Sequence, residues 1–217
     1  MKESYLSVKK PAESEIVIEK SRFICSVSPV NGEEDAKNFV SEVKAKHKTA
    51  THNCYAYIAD ENGFYIKFSD DGEPQGTAGM PMLEVLKNKK LFKVATVVTR
   101  YFGGIKLGAG GLVRAYSDSV CSGLNSAGIV EYIKSNVVEI EVGFSLYSKI
   151  LKYFETIIVN VNSTNFTSDG AVINFTIPSS NLSSVSASIL DLSSGKINTK
   201  NLLETYEIFN KKYENYN

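Results

Sequence analysis

The sequence predicts an α+β protein in two parts, and three observations carry that prediction. The run Val94-Ala95-Thr96-Val97-Val98-Thr99 is apolar and β-branched, the composition of a central strand. Leu112, Tyr116, Val120 and Leu124 recur every four residues, with Val113 and Ala127 widening the stripe, and so mark one face of a long amphipathic helix. From Asn136 the pattern resets and reads strand, helix, strand, strand, helix, strand. A chain of 217 residues, 43% hydrophobic and 22% charged, has ordinary globular composition and length for two small domains. The boundary is placed to give domains 1–134 and 135–217.

In chain order, Ile16-Val17-Ile18 and Phe23 to Val27 read as strands around the turn Lys20-Ser21-Arg22. Asn31-Gly32 then opens a helix with acids in its first turn, Glu33-Glu34-Asp35, running to about Lys46 and burying Ala36, Phe39, Val40 and Val43. Cys54 to Ala59 and Phe64 to Phe68 flank Asp60-Glu61-Asn62-Gly63 as a hairpin. Pro81 suits the first turn of a short helix reaching Asn88, and the strand 94–99 follows. The long helix is expected over residues 111–127, ending at Gly128. In the second part Val138, Ile140 and Val142 alternate with glutamates. Leu146, Ile150 and Phe154 mark a helical face, and Ala171, Ile173, Phe175 and Ile177 follow the turn at Asp169-Gly170. A second helix carries Leu182, Val185, Ile189 and Leu192, Gly195 ends it, and residues 197–209 close the sheet. This βαββαβ order is the ferredoxin-like split motif.

Function is most legible between Arg100 and Arg114, where the apolar strand runs into five glycines (Gly103, Gly104, Gly108, Gly110 and Gly111) and emerges as a helix. Glycine permits positive φ and close backbone approach, and a helix start offers unpaired N–H groups and the positive end of the dipole, so the geometry suits an anion. Between Val85 and Ser117 there are Lys87, Lys89, Lys90, Lys93, Arg100, Lys106 and Arg114, and no acid. The chain holds three arginines among 24 basic residues, Arg22, Arg100 and Arg114, and two of them flank the glycines. Guanidinium grips phosphate bidentately where lysine offers a point charge. The competing reading has Arg100 paired with Asp70 or Asp71 and the glycines forming a tight turn.

Several function classes drop out. Gly103 to Gly108 has P-loop spacing but is followed by Ala109-Gly110 rather than Lys-Ser or Lys-Thr, and Val113 stands where a dinucleotide fingerprint needs its third glycine. Cys25, Cys54 and Cys121 are odd in number and form no CxxC pair, which argues against disulfides and thiolate zinc and for reduced thiols. No stretch suits a signal peptide or a membrane span, so a cytoplasmic location is expected, with no membrane partner. Net charge is zero, with 1–134 slightly basic and 135–217 slightly acidic, so any nucleic-acid preference must rest on local distribution.

The loop Asp70-Asp71-Gly72-Glu73 gathers three carboxylates that either hold a hard cation or salt-bridge the arginines. His52 shares a strand face with Cys54, without a third orienting residue, and reads as a hydrogen-bonded structural histidine. Tyr101 and Phe102 sit beside the cations where a ring could stack on a base.

Ser21-Arg22-Phe23, His52-Asn53-Cys54, the Asp70–Gly79 loop and the Arg100–Tyr116 segment together resemble the YigZ/IMPACT family, most closely its bacterial two-domain branch. Residues 16 to about 134 are similar to the IMPACT N-terminal domain and 135 to about 209 to the bacterial C-terminal extension, with Gln75 standing where the family often has a small residue. The resemblance implies an N-terminal domain similar to elongation factor G domain IV and to the second domain of a small-subunit ribosomal protein, with a left-handed βαβ crossover, and a ferredoxin-like C-terminal domain. Eukaryotic members regulate translation by binding the activator of a kinase that phosphorylates an initiation factor, and for bacterial members the family implies nucleic-acid or ribosome binding. The expectation is a translation-associated regulator that binds structured RNA or the ribosome through Arg22, Arg100, Lys106, Arg114 and the backbone of Gly103, Gly104, Gly108, Gly110 and Gly111. Asp70, Asp71, Glu73 and His52 act as orienting groups or cation ligands, and no catalytic residue, metal or cofactor is expected. The alternatives are a regulator that binds a protein of the translation machinery, or a phosphate-binding enzyme of unknown reaction.

Overall fold

The structure is a computed structural model that describes residues 2–209 and divides into two compact units at Glu131/Tyr132. Met1 and residues 210–217 of the expected domains lie outside the described residues. In the first unit the elements are β1 (Ser4–Val8), β2 (Ala12–Ile18), β3 (Ser21–Pro29), α1 (Glu33–Lys46), β4 (His52–Ile58), β5 (Ile66–Ser69), α2 (Gly79–Asn88), β6 (Val94–Tyr101) and α3 (Gly108–Ala127). The main sheet runs β2-β3-β6-β4-β5 and every pairing is antiparallel. β3 and β4, joined through α1, therefore flank β6, which is inserted between them and lies at the centre of the sheet.

β6 is buried from Val94 to Arg100 because both of its faces are covered. One face packs Val94 and Val98 with Phe23, Cys25, Cys54 and Ala56 beneath Met82 and Leu86 of α2 and Leu112, Tyr116, Val120 and Leu124 of α3. The other packs Ala95 and Val97 with Tyr57 and Ala59 against Ala36, Val40 and Val43 of α1. Two-sided burial is what an unbroken β-branched run requires, since an alternating strand would leave one face in water.

The boundaries of several elements differ from the sequence reading. The sequence reading contains no β1, because its five residues, followed by Lys9-Lys10-Pro11, give too short an alternation, yet Tyr5 and Val8 are buried. α2 carries Pro81 in its first turn and reaches Asn88, in agreement with the reading, and at its first residue, Gly79, a Cβ would meet the Ser69 backbone at 2.8 Å. α3 begins at Gly108, so Gly108, Gly110 and Gly111 belong to its first turn instead of a loop. It closes at Gly128, with φ 73°.

The second unit takes the remainder of β7 (Ile129–Gly143), then α4 (Phe144–Phe154), β8 (Asn160–Phe166), β9 (Gly170–Pro178), a 3-10 turn at Ser179–Asn181, α5 (Leu182–Leu192) and β10 (Lys200–Glu207). Its sheet order, β10-β7-β9-β8, all antiparallel, is the ferredoxin-like arrangement of the unit's fourth, first, third and second strands. Val138, Ile140, Ile173, Phe175 and Ile177 face Ile150, Phe154, Val185 and Ile189 from the helices. The closing strand starts at Lys200 rather than at 197, because Ile197 turns into the core with its N–H bonded to Ser193 Oγ. Among the described residues no helix is long and apolar enough to cross a membrane.

Candidate functional site

Side-chain alternation along the central sheet separates the arginines. The β3–β6 register sets Phe23 opposite Arg100 and Arg22 opposite Tyr101, so Arg100 points toward α2 and α3 while Arg22 points to the other face. Arg22 is gripped there by Glu15 through Nε and Nη2, each at 2.9 Å, and lies 5.5 Å from the Tyr101 ring centroid. It does not join Arg100 in one anion seat, and its fork is already occupied by a carboxylate. An odd register offset between two cations places them on opposite faces.

Arg100 is 5% exposed and its Nη1 donates to Glu73 Oε1 at 2.6 Å. The Tyr116 hydroxyl donates to the same oxygen at 2.8 Å, and Arg100 Nη2 is 3.5 Å from Ser21 Oγ. The guanidinium carbon lies 5.3 Å from the Phe23 ring centroid and 5.5 Å from that of Phe102. Its Nε is buried with no hydrogen-bond partner.

The acidic loop supplies that carboxylate and spends the others on its own shape. Both Asp70 oxygens accept backbone N–H groups, from Gly76 at 2.8 Å and from Ala78 and Gly79 at 3.0 and 2.8 Å, which fastens the loop and caps the start of α2. Asp71, at φ 46°, binds Lys44 at 2.6 Å and accepts from the Asn53 amide at 2.7 Å. Neither aspartate pairs with an arginine, and the partner of Arg100 is Glu73, the third acid of the loop. The aspartate oxygens are thus engaged by backbone amides and Lys44. No group of three or more metal-ligating side chains that could hold an ion forms among the described residues.

His52 Nδ1 lies 2.8 Å from the Asp71 carbonyl oxygen. A carbonyl can only accept, so Nδ1 carries the proton and in the neutral ring Nε2 is an acceptor, 3.9 Å from Glu73 Oε2. The Cys54 sulfur sits 2.9 Å from the Asp70 carbonyl oxygen and 3.3 Å from the Tyr116 hydroxyl. Burial pushes its thiol up to about 12, and burial likewise raises the Tyr116 hydroxyl, so both stay protonated and serve as structural donors. Tyr116 had been legible only as a core residue. Its hydroxyl was the signal, because a buried tyrosine needs a partner.

The glycines divide by role. A Cβ on Gly103 would fall 2.0 Å from the Lys20 carbonyl carbon, and the Gly103 N–H donates to Ser21 Oγ at 3.1 Å. Gly103 is thus a close-approach glycine against the β2–β3 turn, where Glu19 and Lys20 adopt φ 45° and 63°. Gly104 and Gly108 need their positive φ of 87° and 69°. Gly110 needs neither, having ordinary φ and nothing within 4 Å of an added Cβ, while on Gly111 the Cβ would meet only Leu107 Cβ at 3.0 Å. The first turn of α3 holds no acid and no side chain caps it. Lys106 and Arg114 are exposed and neither forms an ion pair among the described residues.

These elements enclose a cavity of about 450 Å³. Arg100, Glu73 and His52 supply its polar wall, and Phe102, Leu107, Leu112, Pro74 and Ala109 its apolar wall, with Lys106, Gly108 and Thr51 completing it. Of the residues expected from sequence, Arg100, Lys106, Gly108, Glu73 and His52 line it. Gly103, Gly104, Gly110, Gly111 and Arg114 lie beside it along the chain, and Arg22, Asp70 and Asp71 do not line it.

The Impact N-terminal domain family matches residues 19–124, a span that contains the whole cavity lining. The Bacillus subtilis protein named IMPACT family member YvyE is 53% identical over 150 residues, 69% of this chain and 69% of that protein. The chain belongs to the IMPACT family. Its likeness reaches eukaryotes: Protein IMPACT of Xenopus laevis is 36% identical over 94 residues, 41% of this chain and 30% of that protein. A solved crystal structure described as that of a hypothetical protein is similar at a TM-score of 0.61 and 31% identity, covering 92% of this chain and 97% of that one. The family model falls within the unit that holds the cavity, the match to the Bacillus subtilis protein is longer than that unit, and the structural likeness extends to both units.

Proposed function

We propose that this IMPACT family protein is a cytoplasmic, translation-associated regulator that binds RNA, as structured RNA or on the ribosome, through the open start of α3 and the cavity beside it. The observation that carries the reading is the uncapped first turn of α3. Four N–H groups at a helix start lack intrahelical partners, and here no side chain caps them and no acid screens the dipole. Lys106 on one side and Arg114 within the helix add two exposed, uncommitted cations, while Gly110 leaves the backbone bare with no steric need to do so. Backbone amides and point charges of this kind suit phosphate contacts, which give affinity more than sequence choice. The translation context is the one implied by the likeness to eukaryotic IMPACT proteins.

The test is fluorescence anisotropy of the full chain with a labelled ribosomal RNA hairpin, titrated between about 50 and 200 mM salt. Log affinity should fall linearly with log salt, and the double variant Lys106→Glu, Arg114→Glu should make the slope shallower by about 2. Affinity and slope untouched by that variant would remove the interface. Retention of a protein in a pull-down that survives nuclease, with no RNA bound, would favour the protein-partner reading instead.

A further inference from the structure

We infer that the cavity beside α3 is a subsite for one unpaired nucleotide, whose base stacks on the open side of Phe102 with its edge toward Arg100 while its phosphate rests on Lys106 and the first turn of α3. The inference rests on the RNA-binding reading above and adds what the RNA must present. Three observations meet here. The Arg100 side chain is more than nine-tenths buried, lines the cavity and keeps an Nε–H with no partner. A buried donor left unmade is costly, so an acceptor is wanted at that point. Its chemistry is constrained, because the guanidinium charge is already balanced by Glu73 at 2.6 Å. What remains suits a neutral carbonyl oxygen, such as a base offers, better than a second anion.

The second observation is Phe102. Phe102 is 46% exposed and lines the cavity together with the apolar side chains of Leu107 and Leu112. An exposed aromatic ring in an apolar wall accepts a base face, and stacking of this kind tolerates any base. The third is size and placement. About 450 Å³ falls within the range of small-molecule sites, and Lys106 and Gly108 of the same lining lead to the uncapped amides where a phosphate would sit. A base held in a duplex is stacked and does not present its face to Phe102, so the subsite requires a loop, bulge or single strand.

The experiment compares three RNA probes of equal length and label by anisotropy with the full chain: a stem closed by a tetrauridine loop, the same stem with abasic nucleotides in the loop, and a blunt duplex. Wild type should prefer the uridine loop over the other two. Phe102→Ala should weaken uridine-loop binding by about 5- to 150-fold, the range that stacking on one aromatic ring supports, and leave duplex binding unchanged. Phe102→Tyr, which keeps the ring, should restore the preference and so separates loss of stacking from loss of fold. Equal binding of all three probes by wild type, or an uridine-loop preference that survives Phe102→Ala, overturns the subsite while leaving RNA binding intact. Failure of every probe to bind overturns the RNA reading and the subsite together.

Discussion

Replacing Arg100 with methionine should destabilise the first unit by about 3–5 kcal/mol, because it strands a carboxylate in the interior. The structure sets that size. Glu73 and Arg100 meet at 2.6 Å with side chains 3% and 6% exposed, so water screens neither charge and the loss is that of an unpaired buried ion. An exposed pair such as Lys37 with Glu33 is screened by water and would lose far less by the same operation. Glu73→Gln keeps an oxygen for the Tyr116 hydroxyl but strands the guanidinium, and should cost a similar amount. If the two costs were independent, the double variant would lose about 6–10 kcal/mol; a shared origin in one ion pair predicts that it loses no more than either single variant. Urea unfolding of the full chain by circular dichroism measures the three values, and hydrogen exchange at the β6 amides assigns the transition to the first unit. Additive losses, or single losses below about 1 kcal/mol, would refute the picture of a desolvated pair.

Other outcomes follow from the same geometry. Gly103→Ala should unfold or strongly destabilise the first unit, whereas Gly110→Ala should raise its unfolding midpoint by about 0.5 kcal/mol of helix preference and weaken RNA binding, a stability gain with a functional loss. Asp70→Ala releases three backbone donors at the start of α2 and should cost about 2 kcal/mol or more, with faster hydrogen exchange at Gly76, Ala78 and Gly79. Burial holds the His47 imidazole below its ordinary value, and its Nε2 is enclosed without a partner. The unfolded chain therefore takes up the proton first, so the stability due to His47 is fully present above about pH 6.5 and is lost as pH falls toward the lowered folded value. Thermal midpoints should drop across that window in the wild type and drop less in His47→Gln.

Element type was readable wherever a period was long enough. The β-branched run of β6 and the four-residue stripe of α3 each specify a buried face without outside help, and the structure places both within a few residues of the reading. β1 escaped because five residues give no sustained alternation, and the start of α3 was misplaced because glycine carries no helical preference. The site was less legible than the fold, for a different reason. That His52, Glu73, Arg100 and Lys106 converge depends on register between strands distant in sequence, and the choice of Glu73 over Asp70 or Asp71 depends on which oxygens the loop backbone consumes. Composition shows which charges exist; only pairing shows which remain unspent.

β6 presents successive residues to opposite sides of the sheet, with Arg100 toward the cavity and Tyr101 toward His47. An insertion or deletion of one residue upstream in this strand would exchange the two, carrying the guanidinium among the valines of α1 and the phenol to the acid that needs a cation. The hairpin tips can lengthen or shorten without that penalty, whereas the central strand behaves as a ruler whose count must be kept.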